Sequence, residues 1–228
     1  MSKWFAQKNN KITGPFDQIQ IENLISTNPN DILIWGKGMS EWLTPNDWKD
    51  FLNQKNSILE TAKAEPMWFF KYNDKESAAL SFNELTSELK KITNYDGLYL
   101  KNDTQPNKWQ SIFALPIIAD ELGITRRNTP RVPILGFLNG QRLDDHTAIK
   151  AKVVTISEGG CGVTDGSGIN AGTSLKGIIK SPNLNGDIHI HADVVYVGKD
   201  GYIGMQFSSI SPESKSQIIE YVNKFKES

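Results

Sequence analysis

The chain has 228 residues, with 25 Lys or Arg against 26 Asp or Glu and a formal net charge of −1. Such a length predicts two or three modules, and near-neutrality argues against a protein that coats DNA or RNA, since phosphate-driven binding needs a basic face. The one cysteine, Cys161, excludes an internal disulfide. With no basic stretch ahead of an apolar core at the N-terminus, and no apolar run near the ~20 residues that span a bilayer, the expectation is a soluble cytoplasmic protein without membrane insertion.

Lys3-Trp4-Phe5-Ala6 reads as a short strand, Asn9-Asn10 as a turn, and Gly14-Pro15 as a break in the chain. From Asp17, a good N-cap, Ile21, Leu24 and Ile25 fall on one helical face, and Asn28-Pro29-Asn30 closes the helix. Ile32-Leu33-Ile34-Trp35 is a strand rich in branched residues. The pattern returns 64 residues later: Trp4 as Trp68, Phe5 as Phe69, Ile21 as Leu85, Ile25 as Leu89, Ile34 as Leu98 and Trp35 as Tyr99, with Trp42 returning as Trp109 after a three-residue insertion. The reading is two small αβ modules, residues 1–52 and 66–116, joined by 53–65 as either a linker or a helical extension.

The first module, with Trp4, Gly14-Pro15-Phe16, Ile34-Trp35 and Gly38-Met39-x-x-Trp42-x-x-Pro45, resembles the GYF family and more closely its bacterial GYF-like relatives. That resemblance implies capture of a proline-rich protein partner on aromatic rings, with Trp4, Phe16, Trp35 and Trp42 as candidates; flat rings suit a polyproline helix. Against it stands the reading of these rings as the core of a very small domain, weightier for Trp4 and Trp35. The second copy has Ala78-Ala79 for Gly14-Pro15 and Asn102-Asp103 for Gly38-Met39, and is expected to be packing scaffold without a peptide site.

Ile117-Ile118 and Leu122-Gly123 predict a short helix closed by glycine. Next comes Arg126-Arg127-Asn128-Thr129-Pro130-Arg131. The chain's four arginines all lie between Arg126 and Arg142, so a lysine-rich sequence turns to guanidinium in one stretch. A guanidinium fork grips phosphate and the guanine O6/N7 edge in ways that an ammonium cannot. Pro130 and Pro133 keep the stretch extended. Residues 132–138, 147–156, 173–179, 187–197 and 202–207 are alternating or β-branched runs set off by turn residues, the spacing of a sandwich or barrel. Within them the run ending Thr155-Ile156-Ser157-Glu158 meets Gly159-Gly160 and resumes at Cys161. A last helix begins at Ser211 with Pro212 at its first position and puts Ile218, Ile219, Val222 and Phe225 on one face.

The spacing Arg127-x-x-x-Arg131, then Thr155-x-Ser157-x-x-Gly160, then Gly204-Met205-Gln206-Phe207, is similar to the PilZ family of bacterial cyclic di-GMP receptors over roughly residues 122–228, within a domain drawn as 117–228. Thr155 stands where that family has Asp or Asn. The resemblance implies an α+β multidomain chain ending in a six-stranded antiparallel β-barrel with a C-terminal helix across one mouth. It implies Arg126, Arg127, Arg131, Thr155, Ser157, Gly159 and Gly160 as the ligand set, and Arg126 in particular as the mark of two stacked ligands. Nothing points to an enzyme: there are no paired carboxylates and no triad spacing, and the glycine clusters lack the Gly-Lys-Ser/Thr of a phosphate loop. His189, His191 and Asp193 would share a strand face, read as a polar outer surface rather than a metal site. No cofactor is expected beyond the ligand. Two functions stay open: a cyclic di-GMP effector that couples nucleotide binding to protein interaction, or a barrel without nucleotide acting as an interaction scaffold.

Overall fold

The computed structural model describes residues 3–64, 67–105, 108–124, 131–198 and 200–225. They group into two compact units, one of residues 1–45 with 129–228 and one of residues 46–128.

In the first unit, β1 (Trp4–Lys8) and β2 (Lys11–Phe16) form a hairpin on Asn9 and Asn10, whose φ of 50° and 61° are the left-handed pair that a tight hairpin turn requires. The strand does not break at Gly14-Pro15, as the sequence predicts; β2 runs through it. As an edge strand in the order β2-β1-β3 it tolerates a proline, and Gly14 at φ 131° allows the close pass, since a Cβ there would stand 2.8 Å from the Trp4 carbonyl. Asp17 and Gln20 make a reciprocal capping box on α1 (Gln18–Thr27), which buries Ile21 and Ile25, and Asn28 caps its end. Strand β3 (Leu33–Gly36) completes the sheet on the other side of β1.

The second unit opens with α2 (Pro45–Ala64), so the joint between the modules is helical over its described length. The run 46–64 contains no Gly or Pro, and it is tied down by burial of Leu59 and Ala62 and by the Lys55–Asp120 ion pair at 2.9 Å. A sheet in the order β5-β4-β6-β7 follows, from β4 (Trp68–Tyr72), β5 (Lys75–Glu76), β6 (Tyr99–Asn102) and β7 (Gln110–Ser111), with α3 (Phe82–Leu89) between β5 and β6. Strand, strand, helix, strand is the element order of the first module again. The strand register corrects the repeat, however. Phe5 faces Trp35 and Ala6 faces Ile34, whereas Phe69 faces Lys101 and Phe70 faces Leu100. The counterparts of Ile34 and Trp35 are therefore Leu100 and Lys101, two residues beyond Leu98 and Tyr99. A slip of two keeps every side chain on its own face of a strand, so apolar alternation alone does not reveal it. The unit ends in α4 (Pro116–Glu121), followed by Gly123 at φ 69°.

The rest of the first unit is a closed barrel, in the order β10-β13-β12-β11-β8-β9, built from β8 (Val132–Arg142), β9 (Ala148–Ser157), β10 (Gly160–Thr164), β11 (Ser174–Lys180), β12 (Ile188–Val197) and β13 (Ile203–Ile210), all pairs antiparallel. Closure removes the sheet edges that would otherwise invite pairing with another chain. Helix α5 (Pro212–Asn223), N-capped by Ser211, adds Ile218, Tyr221 and Val222 to the barrel core of Ile134, Leu138, Val163, Ile190 and Met205. Phe225, expected on the face of this helix, lies in the turn just past its end and meets the first module: the Phe5 and Phe225 rings are 5.6 Å apart, near perpendicular, and Asn183 Nδ2 donates to the Asn10 carbonyl at 2.9 Å. Among the described residues no helix is long and apolar enough to cross a membrane.

Candidate functional site

Two parts of the chain that the sequence singled out converge on one wall of the barrel. Val132 pairs with Ile156 and Pro133 with Thr155, so Arg131 leads into β8 beside the end of β9. There Ser157 pairs with Gly160 across the two-residue turn of Glu158 and Gly159, and its hydroxyl donates to the Gly160 carbonyl at 3.1 Å. Phe207 closes the turn from the other side, its N–H donating to the Gly159 carbonyl at 3.0 Å. Cys161, Val163, Ile203 and Met205 fill the interior, and by strand alternation Gly162 stands on the outer wall, paired with Thr155.

Arg131 is half-buried and held by two acceptors. Its Nη1 donates to the Tyr202 hydroxyl at 2.8 Å and its Nη2 to the Met205 carbonyl at 3.3 Å. Thr155 is 2% exposed and Ser157 3%. The Thr155 hydroxyl lies 2.9 Å from that of Tyr202, so it meets a neighbouring side chain rather than open solvent. Arg131, Thr155, Ser157, Gly159 and Gly160 are thus gathered within one corner of β8, β9 and β10. Arg126 and Arg127, the other predicted members, lie outside the described residues.

Tyr202 is the site residue that the sequence reading missed. Its signal was present: Gly162 and Gly204 interrupt adjacent paired strands, and glycine inside a strand marks a place where something approaches closely. Burial pushes the Cys161 thiol up to about 12, the nearby Arg131 charge countering only in part, so at neutral pH the sulfur is a protonated core atom. His189 and His191 are exposed on β12, Asp193 accepts from Ser174 Oγ at 2.6 Å, and among the described residues no group of three His, Cys, Asp or Glu side chains is arranged to hold a metal ion.

Of the predicted peptide-binding rings, Trp4 and Trp35 lie buried in the first module, while Phe16 and Trp42 are half-buried at its surface. The indole N–H groups of Trp35 and Trp42 are buried with no acceptor among the described residues.

Helix α5 touches both parts of the barrel corner. Lys215 pairs with Glu158 of the turn at 2.9 Å, and the Tyr221 hydroxyl donates to the carbonyl of Pro133, two residues after Arg131, at 2.8 Å. The Tyr221 ring is in turn 5.3 Å from that of Phe225, which meets Phe5.

Fold and site together define a β-barrel module that carries an arginine and a hydroxyl-lined turn on its outer wall. Residues 125–224 match the PilZ domain family and residues 4–51 match GYF domain 2, so the chain carries a PilZ domain behind an N-terminal GYF domain. Among solved structures the chain is similar to YcgR from Escherichia coli in complex with c-di-GMP, at 10% identity and a TM-score of 0.40 over 98% of this chain and 83% of that one. It is also similar to the K. pneumonia MrkH–c-di-GMP complex, at 12% and 0.38 over 75% and 92%, and to the Bacillus subtilis inhibitor of motility MotI/DgrA, at 23% and 0.37 over 44% of this chain and 51% of that one. No curated protein matches the chain in sequence.

Proposed function

We propose that the protein is a cyclic di-GMP receptor and not an enzyme, with the nucleotide on the barrel wall between Arg131 and the Ser157–Gly160 turn. Arg126 and Arg127, a few residues earlier in the sequence, complete the anion site. The observation that carries this reading is the convergence of Arg131 on Thr155, Ser157 and Gly160, residues far apart in sequence, with part of the guanidinium fork unpartnered among the described residues. A guanidinium so held offers several charge-assisted bonds to a phosphate at once. Arg131→Ala should therefore weaken cyclic di-GMP binding by at least ~2 kcal/mol, roughly thirtyfold, in calorimetry run beside cyclic di-AMP and cyclic AMP. No heat at high micromolar cyclic di-GMP would sink the proposal. With Arg126 as a third cation, two stacked nucleotides bind per barrel, and Arg126→Leu lowers that count to one.

The signal passes to a protein partner through the N-terminal GYF module, and α5 with the turn that follows it is suited to carry it, because the helix contacts the site turn and the start of β8 and Phe225 just beyond it meets Phe5. The partner is a proline-rich segment laid on Phe16 and Trp42. Such a segment has carbonyls free of internal hydrogen bonds, the acceptors that the Trp42 indole lacks. The copy in residues 66–116 is scaffold.

One observation favours the second reading, a scaffold that binds no nucleotide. Thr155 stands where the family carries Asp or Asn, and its hydroxyl is turned to Tyr202. The same titration separates the two readings.

A further inference from the structure

Tyr202 enters β13 from a turn in which Gly201 has φ 79° and Asp200 Oδ1 accepts from the Tyr202 N–H at 3.3 Å. Its side chain crosses β10 directly above Gly162. A Cβ at that position would stand 1.8 Å from the Tyr202 hydroxyl oxygen and 2.5 Å from Thr155 Oγ1, so the absence of a side chain there is what lets the phenol reach Thr155 and Arg131. Arginine only donates, hence the phenol oxygen accepts from Arg131 Nη1, and its own proton has Thr155 Oγ1 as the acceptor within reach.

We infer that Tyr202 is a positioning residue for the nucleotide site, holding the Arg131 fork in one plane, with Thr155 as the anchor of its hydroxyl; this rests on the nucleotide-receptor reading above. The bond from Arg131 Nη1 to Tyr202 and that from Nη2 to the Met205 carbonyl fix two corners of the guanidinium, leaving its other N–H groups for a phosphate or a guanine edge. A neutral phenol does this without cancelling the arginine's charge, whereas a carboxylate in its place would neutralise it. Thr155 then serves the ligand through Tyr202, which accounts for a hydroxyl at a position where the family carries Asp or Asn.

The test is calorimetric titration of the full chain with cyclic di-GMP. Tyr202→Phe and Thr155→Val each remove one hydroxyl at nearly constant volume and should each weaken binding about tenfold, the loss expected when one orienting hydrogen bond goes. Thr155→Ser keeps the anchor and should bind like the unaltered protein. A residue with a merely structural part would weaken binding whatever stood at position 131. Tyr202→Phe should instead cost nothing further once Arg131→Ala is in place. Unaltered affinity in Tyr202→Phe, or a Thr155→Ser as weak as Thr155→Val, overturns the inference while leaving the nucleotide reading standing. An unaltered protein that takes up no cyclic di-GMP overturns both.

Discussion

The two αβ modules begin from the same skeleton and close the same strand pair differently. In the first, Phe5 faces Trp35 at a ring distance of 6.0 Å, and Phe225 stands against Phe5. In the second, Phe69 faces Lys101, whose ammonium lies 4.9 Å from the Phe69 ring centre and 4.4 Å from that of Trp109, and pairs with Glu76 at 2.6 Å. An aromatic pair leaves an apolar surface that something apolar must cover, and here Phe225, in the turn after α5, supplies it. A cation over two rings, paired to a carboxylate, finishes the strand with charge and needs no cover. Ile21 and Leu85, Ile25 and Leu89, Ile34 and Leu100 hold corresponding core places, so the two modules part at one strand position, where an aromatic in the first answers to a cation in the second.

Exchanging that position gives the largest expected effect. Trp35→Lys imports the second module's residue into a buried site and should cost at least ~3–5 kcal/mol, since it removes a core aromatic and leaves an ammonium without a partner; the denaturant midpoint measures it. Phe225→Ala removes only the cover, from a half-buried position. It should cost ~1–2 kcal/mol and make residues 3–45 the first to be cut in limited proteolysis, while the cleavage of 67–105 stays unchanged. Lys101→Met should cost no more than ~1 kcal/mol, because the cation–π contacts and the Glu76 pair are partly solvated, and that cost should shrink with added salt. If Lys101→Met proves as damaging as Trp35→Lys, the two strand pairs are not closed in different ways.

Much of this was legible in the sequence where local chemistry decides. Asp17 and Ser211 cap their helices, Asn9-Asn10 turns its hairpin, and the alternating runs after Pro130 became the strands of a closed barrel. The motif residues Arg131, Thr155, Ser157 and Gly160 could be picked out by spacing. What spacing could not carry was long-range register: Leu98 and Leu100 both lie buried on the same face, so the repeat was read two residues early. Glycine at 162 and 204 hinted at a close approach, but naming Tyr202 as what approaches needs the pairing of β13 with β10, a contact between residues some forty apart. Gly14-Pro15 looked like punctuation, and only the edge position of β2 lets the strand continue through it.

Hydrogen–deuterium exchange of the full chain with and without cyclic di-GMP locates the nucleotide on the chain. A nucleotide on the barrel wall slows exchange in the segment through Arg131, in 155–162 and in 202–207. Peptides lining the cavity of about 300 Å³ between α2 and β6, which include Ser57, Trp68 and Gln105, should be unchanged. Slowing confined to that cavity, or no change anywhere at saturating nucleotide, would contradict that placement.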